Sequence, residues 1–171
     1  MTEHTTPRFN SRGLGSGARE SGARATATSH PSGDRPLVRA LAAATAAFLA
    51  LDAYVHLTDA RLYDSVTTST VSEGTLFRVE ALVAIVVAIA LLIQRRPAVW
   101  AVAAVVAASA AGAVLLSTYV DVGALGPLPD MYEPTWALPG KAVSAIAEIA
   151  ATVLALAGLT IALRADRREV T

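Results

Sequence analysis

The stretch that decides the fold runs from Pro97 to Val120, PAVWAVAAVVAASAAGAVLLSTYV, and contains no acidic or basic side chain. A helix rises about 1.5 Å per residue, so this run reaches roughly 36 Å, longer than the ~30 Å hydrocarbon core of a bilayer. Arg95 and Arg96 stand at one end and Asp121 at the other. A helix inside a water-soluble core rarely needs so long a run without charge. The stretch therefore reads as a membrane span.

Working outward, three more apolar segments share this texture: Leu37–Leu57 (LVRALAAATAAFLALDAYVHL), Leu76–Ile93 (LFRVEALVAIVVAIALLI) and Ala142–Leu163 (AVSAIAEIAATVLALAGLTIAL). The expected fold is all-α, a four-helix transmembrane bundle over residues 36–164 with spans at about 37–57, 76–93, 97–120 and 142–163. Pro97 suits the first turn of the third helix. Pro127, Pro129, Pro134 and Pro139 forbid a continuous helix between the third and fourth spans. Tyr132 and Trp136, in that connection, suit the headgroup region. Residues 1–35 are rich in Gly, Ser, Thr and Arg and predict a disordered basic cytoplasmic tail, because such a segment buries too little surface to offset its conformational entropy. Residues 165–171 read as a short cytoplasmic C-terminal tail.

The chain of 171 residues is 54% hydrophobic and only 16% charged, with a mean hydropathy of +0.50 despite its polar tail. It has no cysteine, which excludes disulfides, thiol relays, thioether-linked haem and iron–sulfur ligation. The glycines at 13, 15 and 17 lie in the tail with no strand before them, so they do not make a phosphate loop. No serine sits in a nucleophile-elbow pattern, and His56 is the only histidine outside the tail. The tail arginines lack interleaved aromatics, so no specific nucleic-acid binding is expected. No cofactor is implied.

Charge is strongly segregated. Arg8, Arg12, Arg19, Arg24, Arg35, Arg39, Arg95, Arg96, Arg164, Arg167 and Arg168 all fall on one side of an alternating four-span chain, eleven of the 14 basic residues. The other side carries Arg61, Arg78 and Lys141 against nine acids. The positive-inside bias then predicts a multi-pass plasma-membrane protein with both termini cytoplasmic and an acidic outer face.

Three acids fall inside the spans at similar depth: Asp52, Glu80 and Glu148. Carboxylates in hydrocarbon cost several kcal/mol, so they turn inward and find partners. Asp52 and His56, four residues apart, share a helix face, and Glu148 shares one with Lys141 and Ser144. Four readings of a cluster of Asp52, His56, Glu80, Glu148, Arg78 and Lys141 stand side by side. It is structural, with Lys141 or Arg78 neutralising the acids. It is a proton or cation pathway. It is a metal site whose oxygen donors and single imidazole suit Zn, Mn or Fe. Or it is a pocket for an enzyme's substrate, a lipid or a quinone.

The run DAYVHLTDARLYDSVTTSTVSEGTL, from Asp52 to Leu76, followed by the second span, resembles small four-span membrane proteins of unknown function from high-GC Gram-positive bacteria. The residues that carry it are His56, Leu57, Leu62, Tyr63, Leu76 and Phe77. The resemblance implies the four-span fold and plasma-membrane residence, and no activity. The expected function is a non-enzymatic accessory or interaction subunit, with the alternative of a small transporter or proton- or cation-binding protein working through the outer-leaflet acids. Its expected partners are the lipid bilayer and either a second copy or another membrane protein. The small residues Ala104, Ala108 and Gly112, one per four residues, are the candidate packing surface for that partner.

Overall fold

The computed structural model describes residues 34–169 apart from 69 and 139, with backbone alone at 34, 35 and 169. The expected disordered tail over 1–35 lies almost wholly outside the described residues. The described residues form four helices: α1 (Asp34–Asp59), α2 (Glu73–Ile93), α3 (Pro97–Tyr119) and α4 (Lys141–Glu169). No strand occurs among the described residues, only isolated bridges between Thr67 and Ser72 and between Leu125 and Leu128. Every helix is long and apolar enough to cross a membrane.

Local chemistry sets the helix ends. Ser72 caps α2, its Oγ accepting from the Thr75 N–H at 3.1 Å, with Glu73 in the first turn where an acid complements the helix dipole. Helix α2 therefore starts three residues before the expected Leu76. Pro97 opens α3. Helix α4 continues to Glu169, past the expected end at Leu163, because Arg164, Arg167 and Arg168 end the apolar run without ending the helix. No proline or glycine stands between Leu163 and Glu169, and basic side chains are favourable in a last turn.

The helices form a ring in which α1 packs on α2 and α4, and α3 packs on α4 and, through a thinner seam, on α2. The interior is lined mainly by alanine, with Leu49, Leu91 and Trp100 among the largest fully buried side chains. Small side chains let backbones approach closely, which is how helices associate in a solvent as apolar as they are. Gly158 shows this most sharply: a Cβ there would run into the Trp100 ring. Outward, Leu82, Ile93, Val105, Ile146 and Val153 are all more than half exposed. Water does not tolerate so continuous an apolar surface, but hydrocarbon does. The bundle is a multi-pass membrane protein.

The Ala104–Ala108–Gly112 ladder does not stay on one side. Ala104 is buried, whereas Ala108 and Gly112 face outward, and nothing lies within 4 Å of where a Gly112 Cβ would be. The buried seam of α3 is Trp100, Ala103, Ala104, Ala107, Ala110 and Ala111. A row of residues spaced by four is inclined to the helix axis, so it leaves a seam that repeats nearer every 3.5 residues.

Candidate functional site

The α1–α2 and α3–α4 connections lie at the same end of the bundle and tie to each other: Thr68 Oγ1 donates to the Pro127 carbonyl at 2.9 Å. Tyr63 Oη lies 3.2 Å from both Glu133 carboxylate oxygens. The Glu133 N–H donates to the Ser117 carbonyl at 2.8 Å, anchoring the second connection on α3. Below these loops is a cavity of about 280 Å³, to which all four helices contribute. Its apolar wall includes Val55, Leu76, Phe77, Val114, Leu128 and Met131, and α3 makes room for it with Ala110 and Ala113.

The polar side of the cavity is formed by His56, Glu80, Ser144 and Glu148, with Asp52 behind them rather than in the lining. His56 and Asp52 occupy one face of α1, with His56 Nδ1 3.1 Å from both Asp52 Oδ1 and the Asp52 carbonyl oxygen. His56 Nε2 lies 3.4 Å from Glu80 Oε2 on α2, and the imidazole edge meets the Phe77 ring at a centroid distance of 4.9 Å. From α4, Ser144 Oγ lies 2.5 Å from Asp52 Oδ1 and 3.0 Å from Glu148 Oε1. Asp52, His56, Ser144 and Glu148 are all buried. Glu148 is 2% exposed, and its Oε2 is buried with no hydrogen-bond partner.

Gly140 makes this approach of α1 and α4 possible. It takes a left-handed φ of +85°, and a Cβ would strike the Asp59 carboxylate and Val55. Its carbonyl accepts the Ser144 N–H at 2.8 Å, which starts α4 and sets Ser144 and Glu148 on successive turns along the cavity.

Of the six residues expected in the cluster, the structure brings together Asp52, His56, Glu80 and Glu148. The two cations are engaged elsewhere. Arg78 makes a two-pronged bond to Asp64, Nη1 to Oδ1 at 2.7 Å and Nη2 to Oδ2 at 2.9 Å, both side chains being exposed. Those bonds hold the Asp64 carboxyl below the usual carboxylate range. Lys141 lines the same cavity but donates to the Glu133 carbonyl at 2.6 Å and sits 3.4 Å from Glu133 Oε2. The expectation that Arg78 or Lys141 neutralises the acids is replaced by these pairings. Both are drawn to acids in the loops, which the long side chains reach without crossing the packed interior.

Glu73 and Glu133 also line the cavity without having been singled out, and Tyr63 and Ser144, noted in the sequence for other reasons, join them. Ser144 stands one turn before Glu148, a spacing that signals a local partner. Tyr63 and Glu133 are 70 residues apart in two loops, and no pattern in the sequence links them. Burial, with Glu133 beside it, raises the Tyr63 phenol above its ordinary value, so it stays a hydrogen-bond donor. No known protein family, curated protein or solved structure matches the chain.

Counting hydrogens defines what the cluster lacks. Ser144 has one hydroxyl proton and faces two carboxylates. Among the described residues, the ion pairs of Asp52 and Glu80 are with His56 alone. Three carboxylates thus converge on one imidazole and one hydroxyl, and one buried oxygen is left bare. Such a set is short of positive charge.

Proposed function

We propose that the protein is a cell-membrane protein that binds a cation in the cluster of buried Asp52, His56 and Glu148 with half-buried Glu80, reached from the loop end of the bundle. The bare Glu148 Oε2 carries this reading: a buried carboxylate oxygen without a donor is costly, and a cation is what relieves it. The acids outnumber the bases along the cavity wall, which favours the approach of positive charge. Below the cluster the interior is Leu49, Ala84, Ala88, Leu91, Trp100, Ala104 and Ala107. The buried hydroxyl of Thr45 is spent on the Leu41 carbonyl at 2.8 Å. With no polar route onward among the described residues, the geometry supports binding from one side rather than conduction. The segregation of arginines supports cytoplasmic termini and a cavity that opens on the outer side of the plasma membrane.

The test is thermal denaturation of the full chain in detergent against a panel of protons, methylammonium, Zn²⁺, Mn²⁺, Mg²⁺ and Ca²⁺. At 100 times its Kd a bound cation adds about 2.7 kcal/mol to stability. The shift is expected in the native chain and lost in Glu148→Gln, while a panel that moves both proteins equally would sink the reading. A second reading, an accessory subunit that docks through α3, is supported by Ala108 and the open space at Gly112.

A further inference from the structure

We infer that the cation is a divalent transition metal of the Zn²⁺, Mn²⁺ or Fe²⁺ class, held by Asp52, His56 and Glu148 and oriented through Glu80. This rests on the cation-binding reading above and names the ligand class for that same site. One donor atom from each of Asp52, His56 and Glu148 lies within 4.8 Å of the others, and all three residues are buried. Ligands at about 2.1 Å from a tetrahedral ion stand roughly 3.4 Å apart, so donors already within 4.8 Å of one another have no more than about 1.4 Å to close. The independent sign of a ligand is Glu148 Oε2, buried and unpartnered on a residue that lines the cavity.

The imidazole is already arranged as a metal ligand is. His56 Nδ1 faces two acceptor oxygens of Asp52, each at 3.1 Å, so Nδ1 carries a hydrogen, and a metal ion would take that hydrogen's place. On the other edge, Glu80 Oε2 lies 3.4 Å from Nε2, an ion-pair distance from which it can take up the N–H that remains there once a metal holds Nδ1. A carboxylate behind the far nitrogen sets the tautomer and raises the basicity of the near one. Glu80 is thus a positioning residue rather than a ligand. One imidazole with carboxylates suits borderline and hard divalent ions; Ca²⁺ asks for six to eight oxygens, and Mg²⁺ keeps much of its water. Metal loading displaces the proton at Nδ1, and the ion supplies the positive charge that Arg78 and Lys141, held by Asp64 and Glu133, do not.

The experiment uses the full chain purified in detergent, stripped with chelator, equilibrated with Zn²⁺ or Mn²⁺ and desalted, with metal content and titration calorimetry as readouts. The native chain and a Gly112→Ala control, whose added methyl meets nothing within 4 Å, are expected to retain one ion each. Glu148→Gln, which keeps the side-chain shape, and His56→Ala are expected to lose affinity by on the order of 100-fold or more. Glu80→Ala is expected to lose about 10- to 100-fold, and Glu80→Gln, which keeps an acceptor, to recover part of it. If His56→Ala folds poorly, Glu148→Gln decides. No ion retained by the native chain, equal content in Glu148→Gln, or displacement by Ca²⁺ or Mg²⁺ would overturn the inference. Stabilisation by methylammonium without metal retention overturns the metal while leaving the cation-binding reading intact. No cation effect of any kind overturns both.

Discussion

Two glycines in this chain are the same residue on paper and opposites in the fold. A methyl group added at Gly158 meets the fully buried Trp100 ring, whereas at Gly112 it meets nothing within 4 Å. Gly158→Ala should therefore destabilise the protein by about 1–3 kcal/mol through overpacking. Gly112→Ala should be neutral, or stabilising by up to about 1 kcal/mol through helix propensity. Chemical denaturation of both variants in one detergent checks the pair, and equal effects would contradict the packing described. Asp64 offers a pH test outside the membrane. Its carboxyl is held below the model-compound value of 3.8 by the Arg78 hydrogen bonds. A folded-state value below the unfolded one means that this carboxylate stabilises the fold above the ordinary carboxylate range, and that the contribution fades as the pH falls through the depressed value. The melting midpoint of Asp64→Asn should thus lie slightly below that of the native chain at pH 7, and the gap should close under strongly acidic conditions. The pair is exposed, so the gap is small.

At the scale of elements, α3 changes character. As sequence it is the proof of membrane insertion and carries no acid in its interior; in the fold it supplies the small-residue wall of the cavity through Ala110 and Ala113. Ala110→Leu should fill that space and weaken cation binding without touching a polar residue, read by the same titration as the metal test. Its outward face is a separate matter. Because Gly112 is open, Gly112→Leu should leave the fold of the single chain intact. If α3 docks a second copy or a partner subunit, the variant should lose crosslinks in native membranes at unchanged melting midpoint; unchanged crosslinks would remove the docking role. The two loops also act as one element. Tyr63→Phe breaks their side-chain link to Glu133, and should speed proteolysis near residues 60–70 while costing about 1 kcal/mol in global stability.

For the molecule as a whole, the topology prediction is simple: a reporter fused after Thr171 should be active on the cytoplasmic side, and activity on the outer side would invert the placement of the cavity. The spans, their number and the charge segregation were legible in the sequence, because hydropathy and helical periodicity are local properties of twenty or so consecutive residues. The shared face of Asp52 and His56 was legible for the same reason, being one helical turn. Helix ends were less so: apolar runs stop at charge, whereas α4 continues through its arginines to Glu169. What only the tertiary structure decided is which faces oppose. Ser144 and Asp52 are 92 residues apart and touch, while Arg78, two residues from Glu80, turns to Asp64 instead. Periodicity says where a side chain points around its own axis. It does not say what the neighbouring helix presents there, because that depends on the packing of small residues such as Gly140 and Gly158 and on loops that close over the end of the bundle.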